Sequence, residues 1–249
     1  MLFRRTDDAS KPPRNQRRES AGPPQKIVSL HFPKAAGTSL RAQFAALVGD
    51  RAHMDYSHDP LTPSGAGVSE FPQGKRLVHG HFHARRYAST DAYLFTFLRE
   101  PVDNLISTYF YWRAFRRPGH ELHARFLRDR PSLAEFATYP GIQRLMSETY
   151  FGDFDMARFD FIGFHETRDC DIQSLASALH LNLSASVQEN KSRAAFGRIW
   201  ARLDRNTINR VKHHLADDID FYNLMAAVRG KTAANEPHGF SLPAATANV

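Results

Sequence analysis

Apolar positions follow two rhythms along this chain. Unbroken runs at Lys26-Ile27-Val28-Ser29-Leu30-His31, Arg76-Leu77-Val78-His79, Tyr93-Leu94-Phe95-Thr96-Phe97-Leu98 and Asp160-Phe161-Ile162-Gly163-Phe164 read as buried strands. A strand covered on both faces needs no polar side. Between the runs the apolar spacing stretches to three and four. Leu40, Phe44 and Leu47 fall on one face of a helix predicted after the first strand. Pro101 stands where a first-turn proline belongs and opens a helix through about Phe115. Helical spacing also covers roughly 132–150, 169–180, 203–214 and 217–228. Asp50 to Gly74 is punctuated by proline and glycine and reads as a loop with a turn of helix.

Strands alternating with helices predict an α/β fold, a P-loop-like doubly wound parallel sheet flanked by helices, in a single domain. Residues 1–25 are polar, rich in Pro and Arg, and aperiodic, so they read as a disordered basic tail. The folded domain is expected over 26–230 and a flexible C-terminal tail over 231–249. No internal repeat is visible.

Composition narrows the function classes. The 249 residues are 42% hydrophobic, enough for one sizeable core and too apolar for a wholly disordered chain. No run approaches the ~18–20 apolar residues of a membrane span, and Met1 to Gln25 holds no apolar stretch of a secretory signal. Peripheral contact with a membrane surface stays open. One cysteine, Cys170, excludes a disulfide framework or a multi-cysteine zinc site, and the simplest compartment is the reducing cytoplasm. The net charge is +7, but residues 1–26 hold seven cations against three acids, which leaves +3 for the rest. A mildly basic body suits an anionic ligand. It does not suit nucleic acid, since the aromatics do not interleave with a basic stripe.

The first strand feeds Lys34, Gly37, Thr38 and Ser39 and then a helix, the arrangement that binds phosphate on backbone N–H groups at a helix start. Gly37 permits close approach of the backbone, the two hydroxyls add donors, and Lys34 adds a point charge. In the nucleotide-triphosphatase loop, lysine follows the second glycine; here Lys34 precedes Gly37. A magnesium-dependent nucleotide kinase therefore stands only as an alternative. An ordinary strand-to-helix turn is the bland one.

His31-Phe32-Pro33-Lys34-Ala35-Ala36-Gly37-Thr38-Ser39-Leu40 resembles the 5'-phosphosulfate loop of sulfotransferases that use 3'-phosphoadenosine-5'-phosphosulfate (PAPS), and is most similar to the carbohydrate branch. Phe97-Leu98-Arg99-Glu100-Pro101-Val102, with Ser107 eight residues after Arg99, resembles that family's 3'-phosphate motif. Arg99 ends a strand and Ser107 lies two turns along the next helix, so both can reach one phosphate. A salt bridge from Arg99 to Glu100 or Asp103 is the structural alternative.

His79-Gly80-His81-Phe82-His83 places three histidines at alternating positions of a strand end. They suit a three-histidine zinc site, hydrogen-bonded core positions, or a general base for an acceptor hydroxyl. Sulfuryl transfer needs no metal, and none is expected. His79-Gly80-His81 resembles the His-Gly-His segment of uronyl 2-O-sulfotransferases acting on heparan and dermatan chains. The resemblance implies His81 as base, with His79 as its supporting or substrate-binding partner. Phe161 to Glu166 resembles the family strand ending in Gly-x-x-Glu, and Asn190-Lys191-Ser192 the segment that closes over the donor.

It further implies a donor site from Lys34, Ala35, Ala36, Gly37, Thr38, Ser39, Leu40, Arg99, Ser107, Lys191 and Ser192. PAPS would leave as the 3',5'-bisphosphate PAP. The acceptor, a saccharide or glycolipid, would meet His83, Arg85, Arg86 and Arg113, with Arg116 and Arg117 as further cations; for Arg113, Arg116 and Arg117 a solvated helix face is the alternative. A non-catalytic glycan-binding module on the same fold is the remaining alternative.

Overall fold

The computed structural model describes residues 22–35, 37–62, 67–116, 119–186 and 203–230. Five parallel strands form one sheet: β1 (Ile27–Leu30), β2 (Ala52–Asp55), β3 (Leu77–Gly80), β4 (Tyr93–Leu98) and β5 (Phe161–Phe164), in the order β2-β3-β1-β4-β5. All of β1, β3 and β4 is buried, which is why these segments read as unbroken apolar runs. The flanking helices are α1 (Gly37–Val48), α2 (Pro101–Ala114), α3 (Glu121–Asp129), α4 (Leu133–Phe136), α5 (Arg168–Leu179), α6 (Arg205–His214) and α7 (Ala216–Val228). The α/β expectation holds.

Strand order fixes where a ligand can bind. Chain continuing from β1 runs to β2 and β3 on one side, while β4 and β5 lie on the other. The reversal sits at β1, and the crevice opens beyond the carboxyl ends of β3, β1 and β4. His31, His81 and Arg99 each follow the end of one of these strands.

Three expectations need correction. The sequence segment 50–74 conceals strand β2, an edge strand in register with β3. Its Ala-His-Met-Asp is only half buried, as an edge permits, so it carries no apolar signature. The helix predicted over 132–150 is broken into α4, a run of turns and one π-helical turn at Leu145–Tyr150. Pro140 and Gly141, with φ of 79°, interrupt it. In α1 the buried stripe is Leu40, Phe44 and Val48, whereas Leu47 is 41% exposed, because a spacing of four twice over follows the inner face. Helix α3 escaped the sequence reading. Residues 1–21 and 231–249, expected as tails, lie outside the described residues.

Gly80 shows how closely β2 and β3 approach. A Cβ there would sit 1.8 Å from the Asp55 carbonyl oxygen, a backbone atom that cannot rotate away. Gly80→Ala should therefore destabilise the fold by about 1–3 kcal/mol, read as a lower chemical-denaturation midpoint.

Candidate active site

The loop after β1 is held from the β4–α2 side. Asn104 Nδ2 donates to the Pro33 carbonyl at 2.7 Å, and Arg99 Nη1 donates to the Lys34 carbonyl at 3.1 Å. Lys34 takes a left-handed backbone (φ 59°), a cost that the two tethers offset. Helix α1 then begins at Gly37, and its first N–H groups have no partner within the helix. This is an anion site in the making.

The side chains of the loop divide. Thr38 is exposed. Ser39 is buried, and its Oγ accepts from Arg168 Nη2 at 3.0 Å, so Arg168 on α5 reaches the loop. Ala35 and Leu40 are core side chains and can offer a ligand only backbone. Ala36 lies outside the described residues, as do Lys191 and Ser192.

Two cations meet here. Burial, and then the Arg99 charge, lowers Lys34 to a pKa of about 8. Arg99 is 8% exposed, and burial depresses its pKa although Asp103, Glu166 and Glu100 pull the other way. The ammonium of Lys34 rests 4.2 Å from the ring centroid of Tyr111. Tyr111 stands one turn beyond the half-buried Ser107 on α2, so Lys34 and Ser107 border the same helix face. Glu166, of the Gly-x-x-Glu strand end, accepts from the Glu100 N–H and from Tyr222, at 2.9 Å each, and clamps the β4–α2 corner.

The histidines of the β3 end differ in depth: His79 lies within β3, whereas His81 and His83 follow its last residue, Gly80. His79 is fully buried, bonded through Nδ1 to Ser29 Oγ at 2.8 Å, and burial lowers its pKa to about 3. No substrate reaches it, so the substrate-binding option for His79 is corrected. His81 is half buried, with Nδ1 2.6 Å from the His31 carbonyl. Since a carbonyl only accepts, the proton sits on Nδ1 and the lone pair on Nε2. The two rings are joined by His31, stacked at 4.2 Å on His81 and 5.1 Å on His79, and bonded to Tyr56 at 3.0 Å. A Cβ on Gly37 would overlap the His31 ring, so glycine is required for the ring to lie over the helix start. Among the described residues no group of three or more His, Cys, Asp or Glu could hold a metal ion.

The acceptor candidates scatter. His83 Nδ1 accepts from the Arg85 N–H and caps a short turn. Arg85 is exposed and paired with Asp153 at 3.0 Å. Arg86 is corrected: it is 8% exposed and donates to Asp55 Oδ2 at 2.7 Å, inside a cluster with Tyr87 and His58. Arg113 is exposed at the end of α2, beside the rings of Tyr109 and Phe110. Arg116 is exposed, and Arg117 lies outside the described residues. His31, Tyr56, Asn104 and Arg168 were assigned no role from sequence. His31 stood in the quoted loop motif, but nothing in the sequence marks the other three.

A family profile described as Sulfotransferase family matches residues 21–224. The chain belongs to the sulfotransferase family. No curated protein matches it. Among solved structures, mouse sulfotransferase SULT7A1 complexed with PAP is similar over 84% of this chain and 89% of that one, at 11% identity and a TM-score of 0.43. The sulfotransferase from Alicyclobacillus acidocaldarius is similar over 82% of this chain and 99% of that one, at 15% identity and a TM-score of 0.33.

The buried histidines tie stability to pH. His31 and His79 are held neutral in the fold, mainly by burial, but protonate near 6.5 once unfolded. Between those values the unfolded chain binds more protons, so stability is present above about pH 6.5 and falls as pH drops toward 3. The denaturation midpoint should decline over this window, and His79→Phe, which cannot titrate, should show a shallower decline.

Proposed function

We propose that this sulfotransferase moves a sulfuryl group from PAPS to a hydroxyl of a carbohydrate acceptor, preferentially one already carrying acid groups. The observation that carries the reading is the pairing of Lys34 with Arg99. Lys34 is held partly out of water beside the Arg99 charge at the open start of a helix, while Asp103, Glu166 and Glu100 offset Arg99 alone. Such an arrangement is completed by a polyanion. The donor set therefore fits a nucleotide with a phosphosulfate and a 3'-phosphate.

PAPS supplies an activated sulfuryl group whose leaving group is a phosphate. The α1 N–H groups and Thr38 hold non-reacting oxygens, while Lys34 offsets charge that develops on the leaving phosphate. Arg99 and Ser107 hold the 3'-phosphate, with Arg99 already fixed by the Lys34 carbonyl. His81 takes the acceptor hydroxyl proton on Nε2, the nitrogen left with the lone pair by the bond to His31. Asn190, Lys191 and Ser192, outside the described residues, are assigned to the donor only through their resemblance to the family segment. His83, Arg85, Arg113 and Arg116 meet the acceptor from the rim. The setting is cytoplasmic in this reading, with saccharide or glycolipid precursors as acceptors.

The test is a mass shift of one sulfate on an acceptor incubated with PAPS. Uronate-containing saccharides should be modified faster than neutral ones, with added salt narrowing the difference. His81→Ala should keep PAP binding and lower turnover by roughly 10²–10⁴. Stabilisation by Mg-ATP but not by PAP would overturn the donor, and faster sulfation of neutral sugars or phenols would overturn the acceptor.

Lys34 adds a pH signature. Its ammonium loses a proton as pH passes about 8 in the free protein, whereas the bound anion favours the charged form. PAP affinity should fall as pH rises through 8, with proton uptake on binding, and Lys34→Arg should flatten the decline. Calorimetry in buffers of different ionisation heat reads both.

A further inference from the structure

We infer that Tyr150 is a positioning residue, linking the buried carboxylate of Asp59 to the ring of His81 and thereby orienting and electrostatically supporting the base. The inference rests on the role of His81 proposed above. The three residues come from distant parts of the chain: Asp59 from the loop after β2, His81 from the end of β3, and Tyr150 from the π-helical turn Leu145–Tyr150. The Tyr150 hydroxyl lies 3.4 Å from His81 Nδ1 and 3.4 Å from Asp59 Oδ1. Tyr150 is fully buried and Asp59 is 4% exposed, so no bulk water screens the line between them.

The donors and acceptors run in one direction. The His31 carbonyl at 2.6 Å requires hydrogen on Nδ1 and takes the main bond, which leaves the Tyr150 oxygen at 3.4 Å as a longer, second acceptor beside the same nitrogen. Tyr150 can then donate its own hydrogen to Asp59 Oδ1, which also accepts the Leu61 N–H at 3.0 Å. When Nε2 takes a proton from the acceptor, the ring becomes cationic. The carboxylate then acts on that charge through one polarised hydroxyl, with no proton moving along the chain. This is the orienting acid of a catalytic triad with a tyrosine interposed.

The surroundings make such support useful. His31 and His79 stack around the site, Tyr56 packs edge-on at 5.0 Å from His81, and Lys34 and Arg41 bear on His31. None of these groups favours a new positive charge as a carboxylate does. Asp59 is the acid that the described hydrogen bonds place within one hydroxyl of His81. A π-helical turn is a rare form that recurs at functional sites, and here it carries the hydroxyl.

Tyr150→Phe removes one oxygen and keeps the buried ring. In the full-length protein it should lower kcat about tenfold to a hundredfold, as for a hydrogen bond to a charged group, with PAP affinity and acceptor KM unchanged. The acidic limb of the rate profile should move to lower pH, because the cationic ring has lost support. Asp59→Asn should do the same, and the double variant should be no slower than either single variant, since both break one chain. The NMR titration of the His81 ring should move to lower pH in each variant, a readout that needs no acceptor. An unchanged ring titration, or losses that multiply in the double variant, would overturn the inference. Absence of sulfuryl transfer by the unaltered protein, with the ring titration still shifted, would instead count against the proposed function alone.

Discussion

Two hydrogen bonds, Arg99 to the Lys34 carbonyl and Asn104 to the Pro33 carbonyl, set the shape on which the site depends. They tie the loop after β1 to the end of β4 and the first turns of α2. The tie fixes a lysine in a left-handed backbone and brings its ammonium toward an arginine. The electrostatic cost of that placement is the feature that calls for an anion. Glu166 extends the restraint by holding the Glu100 N–H, and Tyr222 from α7 holds Glu166. A chain of polar contacts thus runs from the last described helix to the loop after the first strand.

The histidines show a second use of burial. One residue type occupies three environments within a few ångströms, and depth decides what each can do. His79 is sealed beneath Ser29 and Phe44 and stays neutral. His31 lies over the start of α1, where only glycine at position 37 leaves room. His81 remains half buried, with its tautomer set by a backbone carbonyl. The stack converts a sheet-core feature into the orientation of the outermost ring. Sequence alternation brought these histidines together on a strand end but could not show their depth, which changes where β3 ends at Gly80.

What was legible in the sequence was whatever is encoded locally. Strands β1, β3, β4 and β5 are apolar because both faces are covered, and Pro101 opens α2 for its fixed φ. Lys34, Gly37, Arg99 and Ser107 were legible as spaced motifs next to those elements. Long-range burial was not. Asp55, Asp59 and Tyr56 sit in a stretch whose composition reads as loop, and they acquire meaning only when β2 pairs with β3. Arg86 looked like a cleft cation because its partner Asp55 lies 31 residues earlier, beyond the reach of any local pattern.

Those partnerships alter the charge of the acceptor side. Arg86 is neutralised by Asp55 in a buried cluster, and Arg85 by Asp153 at the surface. An exposed pair such as Arg85 and Asp153 is worth little and can open to a ligand, whereas opening the Arg86 pair would leave the buried Asp55 without its arginine, held only by Tyr87 and His58. Cations at the crevice therefore include Lys34, Arg99, Arg41 and Arg168, with Arg113 and Arg116 at the end of α2. At the α2 end Arg113 stands beside the rings of Tyr109 and Phe110, and the tilted rings of Tyr111 and Phe115 lie 4.6 Å apart. Cations beside aromatic faces suit a sugar ring that bears an acid group, since one face is apolar and the charge lies at its edge.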